Sequence, residues 1–195
     1  MKAYLIASLN QKDQMEEFFN NLLSSLGSSG VKVESDHVMN STLSEVESQN
    51  DDERLGFYKQ FLKKVSSSDF IVADVTYPSS LGVGSAISIA LDKGKPVLAL
   101  YKTGKEPHFL FGLGLEDEKL ILIPYKEVSE IPNIVRKGLK QVRAIQDIRF
   151  NFFVSPKISN YLHWISKEKR VPRSVYLRRL IEEDMKKEKE YAEAN

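Results

Sequence analysis

Short, uninterrupted apolar runs alternate with amphipathic helical patterns along the first two thirds of this 195-residue sequence. Runs such as residues 69–75 and 95–101 carry large side chains on both faces, which is typical of strands covered from both sides. Between the runs, apolar residues recur at spacings of three and four, as in residues 15–26. Strands that alternate with helices predict an α/β fold with three layers, a parallel sheet between two sets of helices.

The pattern predicts about five strands, at residues 2–7, 31–33, 69–75, 95–101 and 119–124. Ligands bind such sheets beyond the carboxyl ends of the strands, so the candidate site loops are residues 7–12, 35–50, 76–84 and 102–114. Residues 35–53 are rich in Ser, Asn, Asp and Glu and are predicted to form an exposed loop. This loop either overhangs the site or is simply exposed to solvent, with no role in the site.

Composition and charge exclude several classes of protein. The chain has no cysteine, which excludes disulfides, thiolate zinc sites and thiol catalysis, and its three histidines lack metal-ligand spacing. No apolar run reaches the ~18–20 residues that cross a bilayer, and the N-terminal apolar stretch is too short for a signal peptide. We therefore expect a cytoplasmic protein with no metal, no cofactor and no membrane partner.

The turn after the third predicted strand forms the first candidate site. Gly82 and Gly84 allow the backbone to approach a ligand, and the helix that follows offers unpaired N–H groups to an anion. The predicted ligand-binding residues are Ser8, Asp74, Ser79, Ser80, Gly82, Gly84 and Ser85. The alternative interpretation is a tight strand-to-helix turn without a ligand.

This part of the chain resembles the nucleoside 2-deoxyribosyltransferase family, including its deoxynucleoside 5′-monophosphate N-glycosidase branch. The resemblance covers roughly residues 2–125 and rests on Ala7-Ser8, Asp74-Val75-Thr76-x-Pro78-Ser79, Gly82-Val83-Gly84 and Lys95-Pro96-Val97-Leu98. It implies a flavodoxin-like sheet, a dimer or larger assembly, and a nucleoside or nucleotide in the cleft at the strand ends. It also implies that a carboxylate displaces the base from C1′ while a second acid protonates the leaving base.

The chain departs from that family where the chemistry takes place. The position of the nucleophilic glutamate, two residues after the second glycine, is Ala86, and an aspartate eight residues before Asp69 falls on Phe61. A serine that contacts phosphate across the subunit boundary falls near Leu110. Because a methyl group cannot attack an anomeric carbon, we expect no catalytic residue in this cleft. A purely vestigial cleft is the alternative.

The pattern changes after Gln146, so we predict one domain over residues 1–146 and another over 147–195. Residues 149–154 predict a strand, Ser155-Pro156 opens a helix, and Ser174 begins another. This segment resembles a ribbon-helix-helix DNA-binding domain of the Arc/MetJ/CopG kind, in which two chains pair their strands and place them in the major groove. One strand and two helices bury too little core alone, which predicts a homodimer or higher homo-oligomer.

Period-two alternation places Phe150, Phe152 and Val154 on the core side of the predicted strand and the residues between them on the groove side. The predicted DNA-contacting residues are Arg149, Asn151, Phe153, Arg173 and Ser174. Arginine suits guanine, asparagine suits adenine, and a helix start can hold a phosphate. Against DNA, Phe153 occupies a usually polar slot, and residues 147–195 hold eleven Lys+Arg against eight Asp+Glu. The alternative is a dimerisation device only.

These patterns lead to two hypotheses of different classes. In the first, a catalytically degenerate domain binds a nucleotide or related small molecule and tunes DNA binding by the paired C-terminal domains. In the second, the chain is a divergent nucleoside 2-deoxyribosyltransferase or deoxynucleotide N-glycosidase with a relocated acid, and the C-terminal domain only assembles it. A scaffold with neither activity is a third possibility.

Overall fold

The structure is a computed structural model that describes residues 1–145, 152–169 and 171–188. Backbone contacts divide the chain into a first unit, Met1–Asp147, and a second unit, Ile148–Asn195.

Five parallel strands form the sheet of the first unit. They are β1 (Lys2–Ile6), β2 (Lys32–Glu34), β3 (Phe70–Asp74), β4 (Val97–Lys102) and β5 (Leu120–Tyr125), in the spatial order β2-β1-β3-β4-β5. In the register, Ile6 lies beside Ala73 and Asp74 beside Leu100. The order changes direction between β1 and β3, which is where flavodoxin-like sheets open a crevice. The predicted α/β fold with a five-stranded parallel sheet is confirmed.

Helices cover both faces of this sheet. They are α1 (Glu16–Ser28), α2 (Asp36–Asn40), α3 (Leu43–Glu47), α4 (Asp51–Ser67), α5 (Leu81–Asp92), α6 (His108–Glu116) and α7 (Ile131–Ile145), with 3₁₀ helices at Leu9–Met15 and Val128–Glu130. Helices α1 and α7 pack against the face that carries Phe70 and Val72, whereas α4, α5 and α6 pack against the face of Ile71 and Ala73. The strand β3 is therefore buried along its whole length, which explains its unbroken apolar sequence.

The segment predicted as an exposed loop, residues 35–53, contains α2, α3 and the beginning of α4. Capping boxes start two of these helices: Thr42 pairs with Glu45, and Asn50 pairs with Glu53. The polar residues that indicated a loop are thus helix caps and exposed positions on short helices. Likewise, the predicted loop 102–114 contains most of α6.

Helix α7 approaches β4 closely at Gly138. A β-carbon added there would lie 2.6 Å from Leu98 Cδ1, and Leu98 is fully buried. Only a residue without a side chain lets the helix and the strand pack at this distance.

The second unit contains α8 (Pro156–Glu168) and α9 (Arg173–Met185). The Ser155 hydroxyl accepts a hydrogen bond from the Ile158 N–H at 3.4 Å, the cap that the Ser-Pro sequence predicted. The buried core of the second unit consists of Leu162, Ile165 and Tyr176, with two partly buried neighbours. Large apolar side chains remain exposed on both helices, namely Ile158, Tyr161, Trp164, Val175, Leu180, Ile181 and Met185.

The strand predicted in the second unit falls only partly within the described residues. Arg149 and Asn151 lie outside them, and residues 152–155 have no regular secondary structure in this single chain. In the predicted ribbon, the strand of one chain pairs with the same strand of a second chain, so a single chain does not test it. The ribbon therefore stays a prediction.

Candidate functional site

A cleft of about 360 Å³ opens beyond the carboxyl ends of β1 and β3. Residues 4–10 form one wall, and residues 80–89 of α5 and its cap form the second. Side chains from α2, α3 and α4 complete the lining. The cleft therefore occupies the point where the strand order of the sheet changes direction.

Two helix starts form the rim of the cleft. The Ser80 hydroxyl accepts a hydrogen bond from the Val83 N–H at 3.3 Å and caps α5. The Ser8 hydroxyl accepts one from the Asn10 N–H at 3.4 Å. Because Ser80 and Val83 also line the cavity, the partial positive charge at the start of α5 lies at the cleft. The rim therefore favours an anionic group.

The structure brings four of the seven predicted ligand-binding residues together at the cleft, namely Ser8, Ser80, Gly82 and Ser85. Ser79 and Gly84 belong to the same turn and first helical turn, but they are not part of the lining. Ala86 and Phe61, which stand where the family resemblance places acids, both line the cavity.

Asp74 ends β3 but shares its side of the sheet with Val72, under α1 and α7, whereas the cleft residue Tyr4 belongs to the opposite face. The Asp74 Oδ1 atom accepts hydrogen bonds from the Thr76 hydroxyl at 2.7 Å and from the Thr76 N–H at 3.3 Å. Burial raises the pKa of Asp74 to about 6 although both bonds oppose this shift. Asp74 is therefore a buried partner of Thr76 and does not line the cleft.

Aromatic rings form the wall that α4 and β1 contribute. The ring centroid of Phe61 lies 6.2 Å from that of Tyr4 and 6.3 Å from that of Tyr58. Phe57 contacts His37 with 4.4 Å between centroids. All five rings line the cavity and supply flat apolar surface for a planar ligand.

His37 is a cleft residue that the sequence reasoning missed. Its Nδ1 atom lies 3.3 Å from Ser41 Oγ. Burial, followed by the charges of Lys64 and Lys12, holds the pKa of His37 below its ordinary value of 6.5, so the imidazole is neutral at pH 7. The available signal was its place in residues 35–50, which follow β2 at the edge of the sheet where ligands bind.

No aspartate or glutamate occurs among the described residues that line the cleft. Glu34 lies beside Tyr4 in the sheet, but Lys2 and Lys64 hold its carboxylate at 3.3 and 3.2 Å. Hydrogen bonds from Lys64 and Lys2 lower the pKa of Glu34, which removes it as a proton donor at neutral pH. The cleft thus offers aromatic surface, hydroxyls and a helix start, without a nucleophilic carboxylate.

Within the described residues, no group of three or more His, Cys, Asp or Glu side chains is placed to hold a metal ion. A search of the same ranges for a helix both long and apolar enough to cross a bilayer finds none.

The second unit exposes the predicted DNA-contacting residues that the structure describes. Arg173 opens α9, and its Nη2 atom lies 3.3 Å from His163 Nδ1. Ser174 follows it in the first turn and is exposed, and Phe153 is fully exposed. Arg149 and Asn151 lie outside the described residues.

Known proteins resemble this chain both in sequence and in fold. No protein-family model matches the chain. The "Putative 2′-deoxynucleoside 5′-phosphate N-hydrolase 1" of Thermofilum pendens is 30% identical over 131 residues, which cover 67% of this chain and 89% of that protein.

Two solved structures share the fold at low sequence identity. The CMP N-glycosidase BcmB of Clostridium botulinum has a TM-score of 0.52 and 18% identity, over 70% of this chain and 99% of that one. The solution structure of BlsM has a TM-score of 0.55 and 20% identity, over 80% of this chain and 97% of that one.

Proposed function

The chain belongs to the 2′-deoxynucleoside 5′-phosphate N-hydrolase family, and we propose that its first unit binds a nucleotide without cleaving the N-glycosidic bond. One observation carries the proposal: Ala86 and Phe61 line the cleft in place of the two acids that the chemistry needs. A nucleophile and a proton donor each contribute several orders of magnitude to such a reaction, and a substitute must be placed to within about 1 Å.

The retained parts of the cleft support nucleotide binding. The start of α5, with the Ser80 hydroxyl beside it, suits a phosphate group. The rings of Tyr4, Phe57 and Tyr58 suit a nucleobase, and a volume of about 360 Å³ holds a ligand of moderate size. Among the described residues that line the cleft, no carboxylate repels the anion.

The test combines binding with base release. Wild-type protein is titrated calorimetrically with each nucleoside, deoxynucleoside and 5′-monophosphate, and the same mixtures are assayed chromatographically for free base. We expect binding of a monophosphate with no release. The double variant Ala86→Glu/Phe61→Asp then restores both acids, and we expect measurable base release from deoxynucleoside monophosphates.

The matched control is Ala86→Gln/Phe61→Asn, which has the same shape without carboxylates and should release nothing. Multiple-turnover base release by the wild-type protein would overturn the proposal and establish the divergent enzyme. Absence of any nucleotide binding would leave a vestigial cleft.

We further propose that two copies of the second unit pair and bind DNA, so that the chain acts as a regulator and the ligand in the cleft modulates this binding. The ribbon-helix-helix sequence pattern, the exposed Arg173 and Ser174, and the small core support this proposal. Coupling requires the ligand to bind more tightly to the DNA-competent arrangement than to the other.

Selection of bound fragments from random duplex DNA, with and without nucleotides, tests the second proposal. Arg149→Ala and Asn151→Ala should each weaken binding of the selected duplex about tenfold or more, the cost of one lost base contact. Lys186→Ala, after the end of α9, is the control and should change binding little. If no duplex is enriched, the second unit serves assembly only.

A further inference from the structure

Helix α3 forms part of the cleft wall but buries none of its own residues. Leu43 and Val46 of this helix line the cavity, yet Leu43 is 40% exposed and no residue of α3 is buried. The chain is fixed on either side of α3, by the buried Val38 in α2 and by the capping box of Asn50 at the start of α4. Because a helix of five residues is not stable alone, the position of α3 depends on contacts with other parts of the chain.

One side chain from another wall of the cleft holds the chain where it leaves α2. The Lys12 ammonium group donates hydrogen bonds to the Met39 carbonyl oxygen at 2.7 Å and to the Ser41 carbonyl oxygen at 2.9 Å. Lys12 belongs to the 3₁₀ helix Leu9–Met15, whose first two residues line the cavity, whereas Lys12 itself does not. Hydrogen bonds from a charged donor are stronger than neutral ones, so Lys12 ties two walls of the cleft together.

Ser41 connects this contact with the groups that face the cavity. Its carbonyl oxygen accepts the hydrogen bond from Lys12, and its hydroxyl oxygen lies 3.3 Å from Nδ1 of the cleft residue His37. Leu43, the first residue of α3, follows Ser41 by two positions. A displacement of Ser41 therefore moves cavity-lining groups on both α2 and α3.

We propose that Lys12 is a positioning residue, which holds α3 against the cleft, and that a nucleotide enters and leaves when this contact breaks. The inference rests on the proposed nucleotide binding. A bound nucleotide buries Leu43 and Val46, which gives α3 the packing that it lacks and favours the closed arrangement. The simpler role for Lys12 is to cap α2, since a lysine can donate to the last carbonyl groups of a helix. Capping affects α2 and leaves α3 unchanged.

Hydrogen exchange of the full-length protein, followed by NMR, tests the hold on α3 without a ligand. The Val46 and Ser48 N–H groups report on α3, because both donate hydrogen bonds within it. Lys12→Met keeps the apolar stem and removes the ammonium group. We expect both amides to exchange about tenfold faster in this variant, the effect of roughly one lost charged hydrogen bond. Lys12→Arg keeps a charged donor and should retain most of the protection. Lys63→Met, at an exposed position of α4, is the matched control and should exchange like wild type.

Binding rates distinguish a positioning role from a purely structural one. The full-length proteins are immobilised, and each nucleoside and deoxynucleoside 5′-monophosphate is passed over them in surface plasmon resonance. If Lys12 restrains an opening motion, Lys12→Met should raise the association and dissociation rate constants together, each about tenfold, and change Kd less than about threefold. Damage to a fixed wall raises the dissociation rate constant alone.

The outcomes separate this inference from the proposed function. If Lys12→Met leaves the exchange of Val46 and Ser48 unchanged, Lys12 does not hold α3 and the inference is wrong. If a monophosphate binds and Lys12→Met changes neither rate constant, or raises only the dissociation rate constant, the inference is wrong and nucleotide binding stands. If no monophosphate binds to the wild-type protein, the proposed function fails and this inference fails with it.

Discussion

The two units of this chain differ in how much of their own stability they can supply. The first buries both faces of a five-stranded sheet under two sets of helices. The second buries Leu162, Ile165 and Tyr176 and leaves apolar residues such as Ile181 in water. A large core lets a domain fold without a partner, whereas a small core makes folding depend on association.

The largest expected effect comes from a charge at an exposed apolar position of α9. Ile181 is 60% exposed in a single chain. If a partner covers it, Ile181→Asp places an unpaired charge in the interface and should weaken dimerisation at least about 100-fold. Sedimentation equilibrium measures the dissociation constant of the dimer. Ile181→Leu is the matched control and should leave this constant unchanged. Equal dimer dissociation constants for wild type and Ile181→Asp would contradict the conclusion that folding of the second unit depends on association through this surface.

The second-largest expected effect is a pH dependence of the free energy of unfolding. It should appear in the first unit only, because Asp74 belongs to that unit. Its pKa of about 6 lies above the ordinary value of 3.8, so its contribution to stability is complete below about pH 4 and is lost as the pH rises through 6. Asp74→Asn removes this loss and should raise the free energy of unfolding at pH 7 by up to about 3 kcal/mol.

Urea unfolding followed by far-UV circular dichroism, at pH values from 4 to 7, measures this difference. Trp164, the only tryptophan in the sequence, reports separately on the second unit and should show no change. Asp92→Asn, on the exposed face of α5, is the control. A constant difference between Asp74→Asn and wild type across this range would contradict the assignment.

A smaller effect is expected where α7 meets β4. Gly138→Ala places a methyl group 2.6 and 2.8 Å from the two terminal carbons of the buried Leu98, so it should destabilise the first unit by about 1–3 kcal/mol. Gly56→Ala is the matched control in α4, where a β-carbon meets nothing within 4 Å, and should stabilise by up to about 1 kcal/mol. Similar denaturation midpoints for the two variants would show that the contact is not tight.

The strands could be predicted from sequence because complete burial leaves an unbroken apolar run, as in β3. The helices α2 and α3 could not, since each has only five residues, too few for an apolar stripe, and α3 begins at a capping box of Thr42 and Glu45. Polar residues such as Thr42 and Asn50 fit a loop and a helix cap equally well at the level of sequence.

The candidate site was predictable where it follows a strand along the chain. Ser80, Gly82 and Ser85 follow β3 along the chain. They were predicted because ligands bind beyond the carboxyl ends of parallel strands. The side of the sheet that Asp74 occupies follows from alternation along β3, a signal the sequence contained. His37 reaches the cleft from α2, and no local motif connects it with α5.

Under the proposed function, the methyl group of Ala86 has a consequence for the small molecule that enters the cleft. An enzyme consumes what it binds, so its occupancy depends on turnover as well as on supply. A protein that returns its ligand intact is occupied to a degree set only by the free concentration and the dissociation constant. Such a cleft measures an abundance continuously and reversibly.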